Sequence, residues 1–132
     1  MTTSLMTTIF DCRDAQRVAR FWGEALNYEV TKRNPGEYLA SDAKGGGTDL
    51  YFMDVPEPKK GKNRLHVDLI TNGDMASEVA RLVDLGATVV EVRTDPATHD
   101  NPDTWTVLQD PEGNEFCISS NSTVTGWQGW GT

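Results

Sequence analysis

Cysteine is scarce in this chain, with two among 132 residues. Cys12 and Cys117 stand far apart and form no CxxC or zinc-ribbon pattern, so neither a disulfide framework nor a structural zinc site underlies the fold. Both are read as thiols, and a buried free cysteine behaves as a small apolar residue. Basic residues are also in the minority, 12 against 20 acidic ones, for a formal net charge of -8. A surface of that sign repels nucleic acid and anionic membranes, so neither is expected as a partner. No apolar run approaches the roughly 20 residues that span a bilayer. The opening MTTSLMTTIFDCRD carries neither a basic leader nor a cleavage site, and a cytoplasmic protein is therefore expected.

What remains is an ordinary globular composition, 37% hydrophobic and 24% charged, at a length that suits one core. Met6 to Cys12 reads as a strand. Asp14 then offers an N-cap to a helix whose apolar residues Ala15, Val18, Ala19, Phe21, Trp22, Ala25 and Leu26 recur at helical spacing. Phe21 and Trp22 belong to the core on this reading. Short strands follow at Tyr28 to Arg33, Tyr38 to Ser41 and Asp49 to Val55, separated by Asn34-Pro35-Gly36 and by Lys44-Gly45-Gly46-Gly47.

The pattern then starts again. Leu65 to Thr71 is a strand, and Asp74 precedes a helical run of Met75, Val79, Ala80, Leu82, Val83 and Leu85 that Gly86 ends. Thr88 to Arg93, Thr104 to Leu108 and Glu115 to Ser119 are strands, with a polar loop from Thr94 to Asp103. Val18-Ala19-Arg20-Phe21 and Val79-Ala80-Arg81-Leu82 match one another about 60 residues apart. Two copies at that period make paired modules sharing one core, not a solenoid. The expected fold is α+β: two tandem βαβββ modules forming a curled mixed sheet around a cavity. The modules cover about 5–55 and 64–120, with a linker at 56–63 and a tail at 121–132, as one domain.

The phrases FDCRDAQRVARFW, VPEPKKGKNRLHVDL, EVARLVDLGATVV and QDPEGNEFC resemble the glyoxalase-like branch of the vicinal oxygen chelate superfamily, whose members include glyoxalase and bleomycin-resistance proteins. In its metal-dependent members the resemblance implies one ligand on the first and one on the last strand of each module. The matching positions here are Thr7, Tyr51 (or Phe52, one residue on), His66 and Cys117. Only His66 is a familiar ligand of that site, and a divalent Lewis acid wants several His, Gln, Asp or Glu donors converging on it. No cofactor is therefore expected. A divalent metal is the alternative, held by His66 with Cys117 or, if the site is shifted, by Glu115.

Strand alternation puts Asp68 on the face of His66 and Glu115 on that of Cys117, which makes a polar, acidic lining; solvated strand ends are the plainer reading of Glu115 and Asp49. His66 interrupts an apolar strand, where it serves either as a ligand-binding group or as a core histidine satisfied by Asp68. Trp105 is placed either to stack a flat ligand or to pack the strand. His99 reads as a surface residue or part of a lid. Lys59, Lys60, Lys62 and Arg64 are four of the 12 basic residues, in a solvated linker or an anion-attracting one. Trp127 and Trp130 sit in a glycine-rich tail expected to fold over the cavity or over a second subunit.

The ligand-binding set read from sequence is thus Thr7, Tyr51, His66, Asp68, Trp105, Glu115 and Cys117, with a small organic molecule as partner and a homodimer as the expected assembly. The preferred function is small-molecule binding without the superfamily's metal site. The alternatives are a metal-dependent lyase, isomerase or dioxygenase, a metal-free acid and base, and a structural or regulatory protein whose cavity is filled by its own side chains.

Overall fold

A computed structural model describes residues 2–95 and 103–120. His99, Trp127 and Trp130 lie outside the described residues. The chain forms two compact units, one up to Lys60 and one from Gly61 onward.

The first unit runs β1 (Thr8–Cys12), α1 (Ala15–Leu26), β2 (Glu29–Asn34), β3 (Glu37–Ser41) and β4 (Leu50–Asp54). Its sheet order is β1-β4-β3-β2, with β1 parallel to β4 and the other pairs antiparallel. The second unit repeats the plan: β5 (Val67–Thr71), α2 (Met75–Leu85), β6 (Thr88–Asp95), β7 (Asp103–Gln109) and β8 (Glu115–Ser120), ordered β5-β8-β7-β6 with β5 parallel to β8. The expected βαβββ repeat is present in both halves. No helix among the described residues is long and apolar enough to cross a membrane.

Helix α1 forms because its apolar residues return every three or four positions and its first turn is capped. The Asp14 carboxylate accepts from the Arg17 amide at 3.2 Å, and the Ala15 amide donates to the Asp54 carboxylate at 2.7 Å, fixing the helix start to the end of β4. Ala15, Val18, Ala19, Phe21 and Trp22 are all buried. Trp22 packs on Phe10, whose ring also meets Phe52 at 5.1 Å. Gly23 sits where α1 crosses β2, since a Cβ there would lie 2.5 Å from Val30 Cγ2. Asn27 ends the helix in the left-handed region, which asparagine tolerates better than most residues.

Helix α2 buries Leu82 completely but leaves Val83 41% exposed. Gly86 terminates it at φ 126°, a conformation that side chains with a Cβ rarely adopt, and its amide returns to the Val83 carbonyl at 3.0 Å. At the other end, the Asp74 carboxylate accepts from both the amide and the hydroxyl of Ser77 at 2.9 Å. The bond from the Ser77 amide, then that from its hydroxyl, holds the Asp74 carboxyl below its ordinary value. A depressed native value stabilises the fold above the unfolded value and stops doing so as pH falls through the native one. Asp74→Ala is therefore expected to lower Tm at neutral pH, and the gap from the parent should close below the ordinary aspartate range. Thermal melts across an acid pH series check this, and a gap constant down to pH ~2 would contradict it.

Element ends differ from the sequence expectation. Met6, Thr7, Tyr28, Asp49, Val55, Leu65 and His66 fall just outside their strands. Tyr28 does so because its amide closes α1 on the Gly23 carbonyl at 2.8 Å. Conversely, the polar stretch expected to be loop from Thr94 to Asp103 gives Thr94 and Asp95 to β6 and Asp103 to β7. Thr94 pairs with Thr104, hydroxyl to hydroxyl at 3.2 Å, a cross-strand pair that suits β-branched residues.

Candidate functional site

Each sheet has a helix-covered face and an open one, and register decides which residues share the open face. In the second unit Phe116, Ile118 and Ser120 are buried, and Thr106 and Leu108 share their face. The alternate residues Glu115, Cys117 and Ser119 therefore project from the open side, together with their partners Gln109, Val107 and Trp105. Across the parallel seam Asp68 opposes Cys117. His66, two residues earlier, lies on the same side.

These positions converge. His66 Nε2 stands 3.2 Å from Asp68 Oδ1, with the imidazole side chain 43% and the carboxylate 75% exposed. The Asp68 carboxylate also acts on the Cys117 thiol, so Asp68 bears on both neighbours. One donor atom from each of His66, Asp68 and Cys117 lies within 4.8 Å of the others. Burial, followed by the Asp68 charge, pushes the Cys117 thiol above its ordinary value, while the positive charges of Arg93 and Lys62 act in the opposite direction. The thiol is thus protonated at neutral pH and a poor nucleophile. The cluster offers a carboxylate oxygen from β5, a sulfur from β8 and an imidazole nitrogen from the residue just before β5.

Glu115 stands outside that cluster. Its Oε1 accepts from the Asn63 amide at 3.0 Å, and the Asn63 side chain donates to Asn114 Oδ1 at 2.8 Å. Glu115 therefore fastens the segment entering β5. Trp105 is half-buried on the open face, opposite Ser119 on one side and Arg93 on the other. Arg93 and Asn63 were not singled out from sequence, and Lys62 was read only as one of the linker cations. Only the pairing of β6 with β7 carries Arg93 to this face, and no local motif signals that.

In the first unit Phe52 points into the core against Phe10, which leaves Tyr51 as the open-face residue of β4. The Tyr51 hydroxyl donates to Glu37 Oε1 at 2.8 Å. That bond, then burial, raises the phenol above its ordinary value. Among the described residues, the buried hydroxyl oxygen of Thr7 finds no hydrogen-bond partner. It borders an open depression of about 520 Å³ that Ser41, Asp42, Thr48 and Asp49 also line. The donor set does not fit the four-ligand centre of metal-dependent relatives. The two first-unit positions supply a neutral hydroxyl and a phenol that stays protonated beside Glu37, where a divalent ion wants imidazole or carboxylate.

Comparison with known proteins agrees with this architecture. Solved structures similar to the chain include a glyoxalase/bleomycin resistance protein/dioxygenase family enzyme from Burkholderia phytofirmans PsJN, at 17% identity and TM-score 0.70, covering 89% of this chain and 98% of that one. Lactoylglutathione lyase from Agrobacterium tumefaciens aligns at 16% identity and TM-score 0.64 over 95% and 98% of the two chains. The fosfomycin resistance protein FosX from Mesorhizobium loti aligns at 15% identity and TM-score 0.65 over 90% and 92%. Curated proteins give no significant sequence match. Identities this low carry the fold alone. The family model of the glyoxalase-like domain, however, matches residues 7–119. By that match, the chain belongs to the glyoxalase-like domain family of the vicinal oxygen chelate superfamily.

Proposed function

We propose that the protein binds a small organic molecule on the open face of its second unit, without the four-ligand metal centre of metal-dependent relatives, as a sequestering, resistance-like or accessory protein. The observation that carries this reading is the exchange at the metal positions: the family scaffold spans residues 7–119, yet three of its four ligand positions hold Thr7, Tyr51 and Cys117. Half-exposed His66 and half-buried Trp105 on one open face support it. An indole presents a flat apolar platform, and an imidazole beside it supplies a directional polar contact. The proposal includes a cytoplasmic homodimer, for which the outer strands β2 and β6 offer pairing edges.

A thermal-shift screen of aromatic and polar small molecules, run with a chelator present, tests the reading. A binder is expected to lose about tenfold in affinity in Trp105→Ala and again in His66→Ala, equivalent to about 1.4 kcal/mol each. Absence of any binder, or binders indifferent to both substitutions, would sink it. A second reading, a metal-dependent lyase, isomerase or dioxygenase, draws on the convergence of His66, Asp68 and Cys117. It predicts binding or turnover that the chelator abolishes.

A further inference from the structure

We infer that the depression beside Thr7 in the first unit binds a small organic ammonium ion, gripped by Asp42, Asp49 and the Thr7 hydroxyl, with its apolar substituent against Leu5 and Met6. Every residue that lines the depression belongs to the first unit, so the inference stands independently of the second-unit face proposed above.

Strand pairing and loop shape bring the polar groups together. Thr8 of β1 and Ala40 of β3 both pair with Leu50, so Thr7 and Ser41 come to either side of Asp49 just before β4. The glycine-rich loop that follows Ser41 completes the lining, and its course is fixed from within. The Lys44 amide donates to Asp42 Oδ1 at 2.9 Å, and the Gly45 amide donates to the Asp42 carbonyl at 2.9 Å. Gly47 passes so near Tyr28 that a Cβ there would collide with the phenol hydroxyl. Lys44 thus gives its backbone to the loop, while its side chain does not line the depression. Burial, then the charges of Asp42 and Asp49, raise the Tyr28 phenol above its ordinary value against the opposing Thr48 backbone, so both carboxylates act on one place.

Charge, hydrogen bonding and size select the ligand. Among the described residues that line the depression, the charged ones are Asp42 and Asp49, both negative, and a concave wall of one sign concentrates counter-ions. The buried Thr7 oxygen, which finds no partner among the described residues, costs free energy until a guest supplies one. A primary ammonium carries three N–H donors, enough for two carboxylates and one hydroxyl oxygen, and its bonds to carboxylates are of the strong, charge-assisted kind. The volume of about 520 Å³ suits a small organic molecule and far exceeds what a bare ion fills. Leu5 and Met6 are 86% and 90% exposed, apolar surface that an organic substituent would cover and a metal ion would leave in water.

The test is a titration of the full chain followed by amide nuclear magnetic resonance, with benzylammonium and its neutral counterpart benzyl alcohol in the presence of chelator, and with calcium in its absence. Benzylammonium should shift the amides of Thr7, Thr8 and residues 42–49 saturably and bind at least about tenfold more tightly than benzyl alcohol. Asp49→Asn and Asp42→Asn, both close to isosteric, should each weaken it by about tenfold. Thr7→Val should weaken it severalfold while leaving the Tm of the unliganded protein no lower than the parent's, because the change removes an unsatisfied hydroxyl. Trp105→Ala should leave it unchanged, and circular dichroism confirms that each variant is folded. The assignment is overturned if benzyl alcohol binds as tightly, if calcium gives the same shifts with higher affinity, if neither aspartate variant weakens binding, or if Thr7→Val lowers Tm and leaves affinity untouched. Benzylammonium binding lost in Trp105→Ala but kept in Asp49→Asn would also overturn it, while leaving the second-unit reading standing.

Discussion

Asp110→Ala is expected to destabilise the protein by about 3 to 4 kcal/mol, far more than an ordinary turn substitution. Asp110 is 4% exposed and Asn114 7%. The carboxylate accepts from the Glu112 amide at 2.9 Å, from the Asn114 amide at 3.0 Å and from the Asn114 side chain at 3.0 Å. Deleting it strands donors that water reaches poorly, and each buried donor left without a partner costs about 1 to 3 kcal/mol. Asn114 in turn receives the Asn63 side chain, so the damage should spread to the segment entering β5. Asp110→Asn keeps one acceptor but turns a donor toward the Asn114 amide group, and should lose roughly half as much. Urea unfolding checks both, and a loss below about 1 kcal/mol for the alanine variant would show that the turn holds itself without the carboxylate.

Trp22→Ala should cost about 3 to 5 kcal/mol, a large share of the 5 to 15 kcal/mol that typically separates folded from unfolded domains. Trp22 has no exposed surface and meets Phe10 at 5.6 Å and Phe21 edge-on at 5.3 Å between ring centroids. Removing the indole leaves a cavity bounded by a strand on one side and a helix on the other, neither of which can collapse into it. Trp105→Ala, on the half-buried open face, should cost much less stability while carrying the larger effect on ligand binding. Equilibrium unfolding followed by far-ultraviolet circular dichroism separates the two tryptophans. Equal losses from both would mean that Trp105 is a core residue and that the open face is not the binding surface.

The legible parts of the fold were those written in local spacing. Ala15, Val18, Ala19 and Trp22 recur at helical intervals and all are buried, and Asp14 and Asp74 sit at N-caps because short carboxylates satisfy amides that the helix leaves free. Gly86 follows from the conformation that ends α2. Less legible was where polar strands stop. Thr94, Asp95 and Asp103 read as loop, but pairing of β6 with β7 supplies what composition does not show. The candidate site divides in the same way. Counting in twos places His66 and Asp68 on one face, and they do meet, although His66 falls just before β5. That Cys117 meets Asp68 depends on the register of a parallel pair between segments remote in sequence, which no local pattern encodes. The tie from Glu115 to Asn63 depends on the same remote pairing, and the reach of Arg93 to Cys117 on the antiparallel pairing of β6, β7 and β8.

That parallel pairing bears on how the chain assembles. Both antiparallel pairs of each sheet join strands consecutive in the chain, whereas Thr8 must find Leu50 and Val67 must find Phe116. The entropy of closing such loops rises only logarithmically with length, so the seams cost little extra equilibrium stability. Their effect falls on rate, because non-local pairing comes after local pairing in most folding trajectories. Asp68 and Cys117 face each other across one of these seams, so the constellation that makes the second unit chemically interesting is expected to form late in folding.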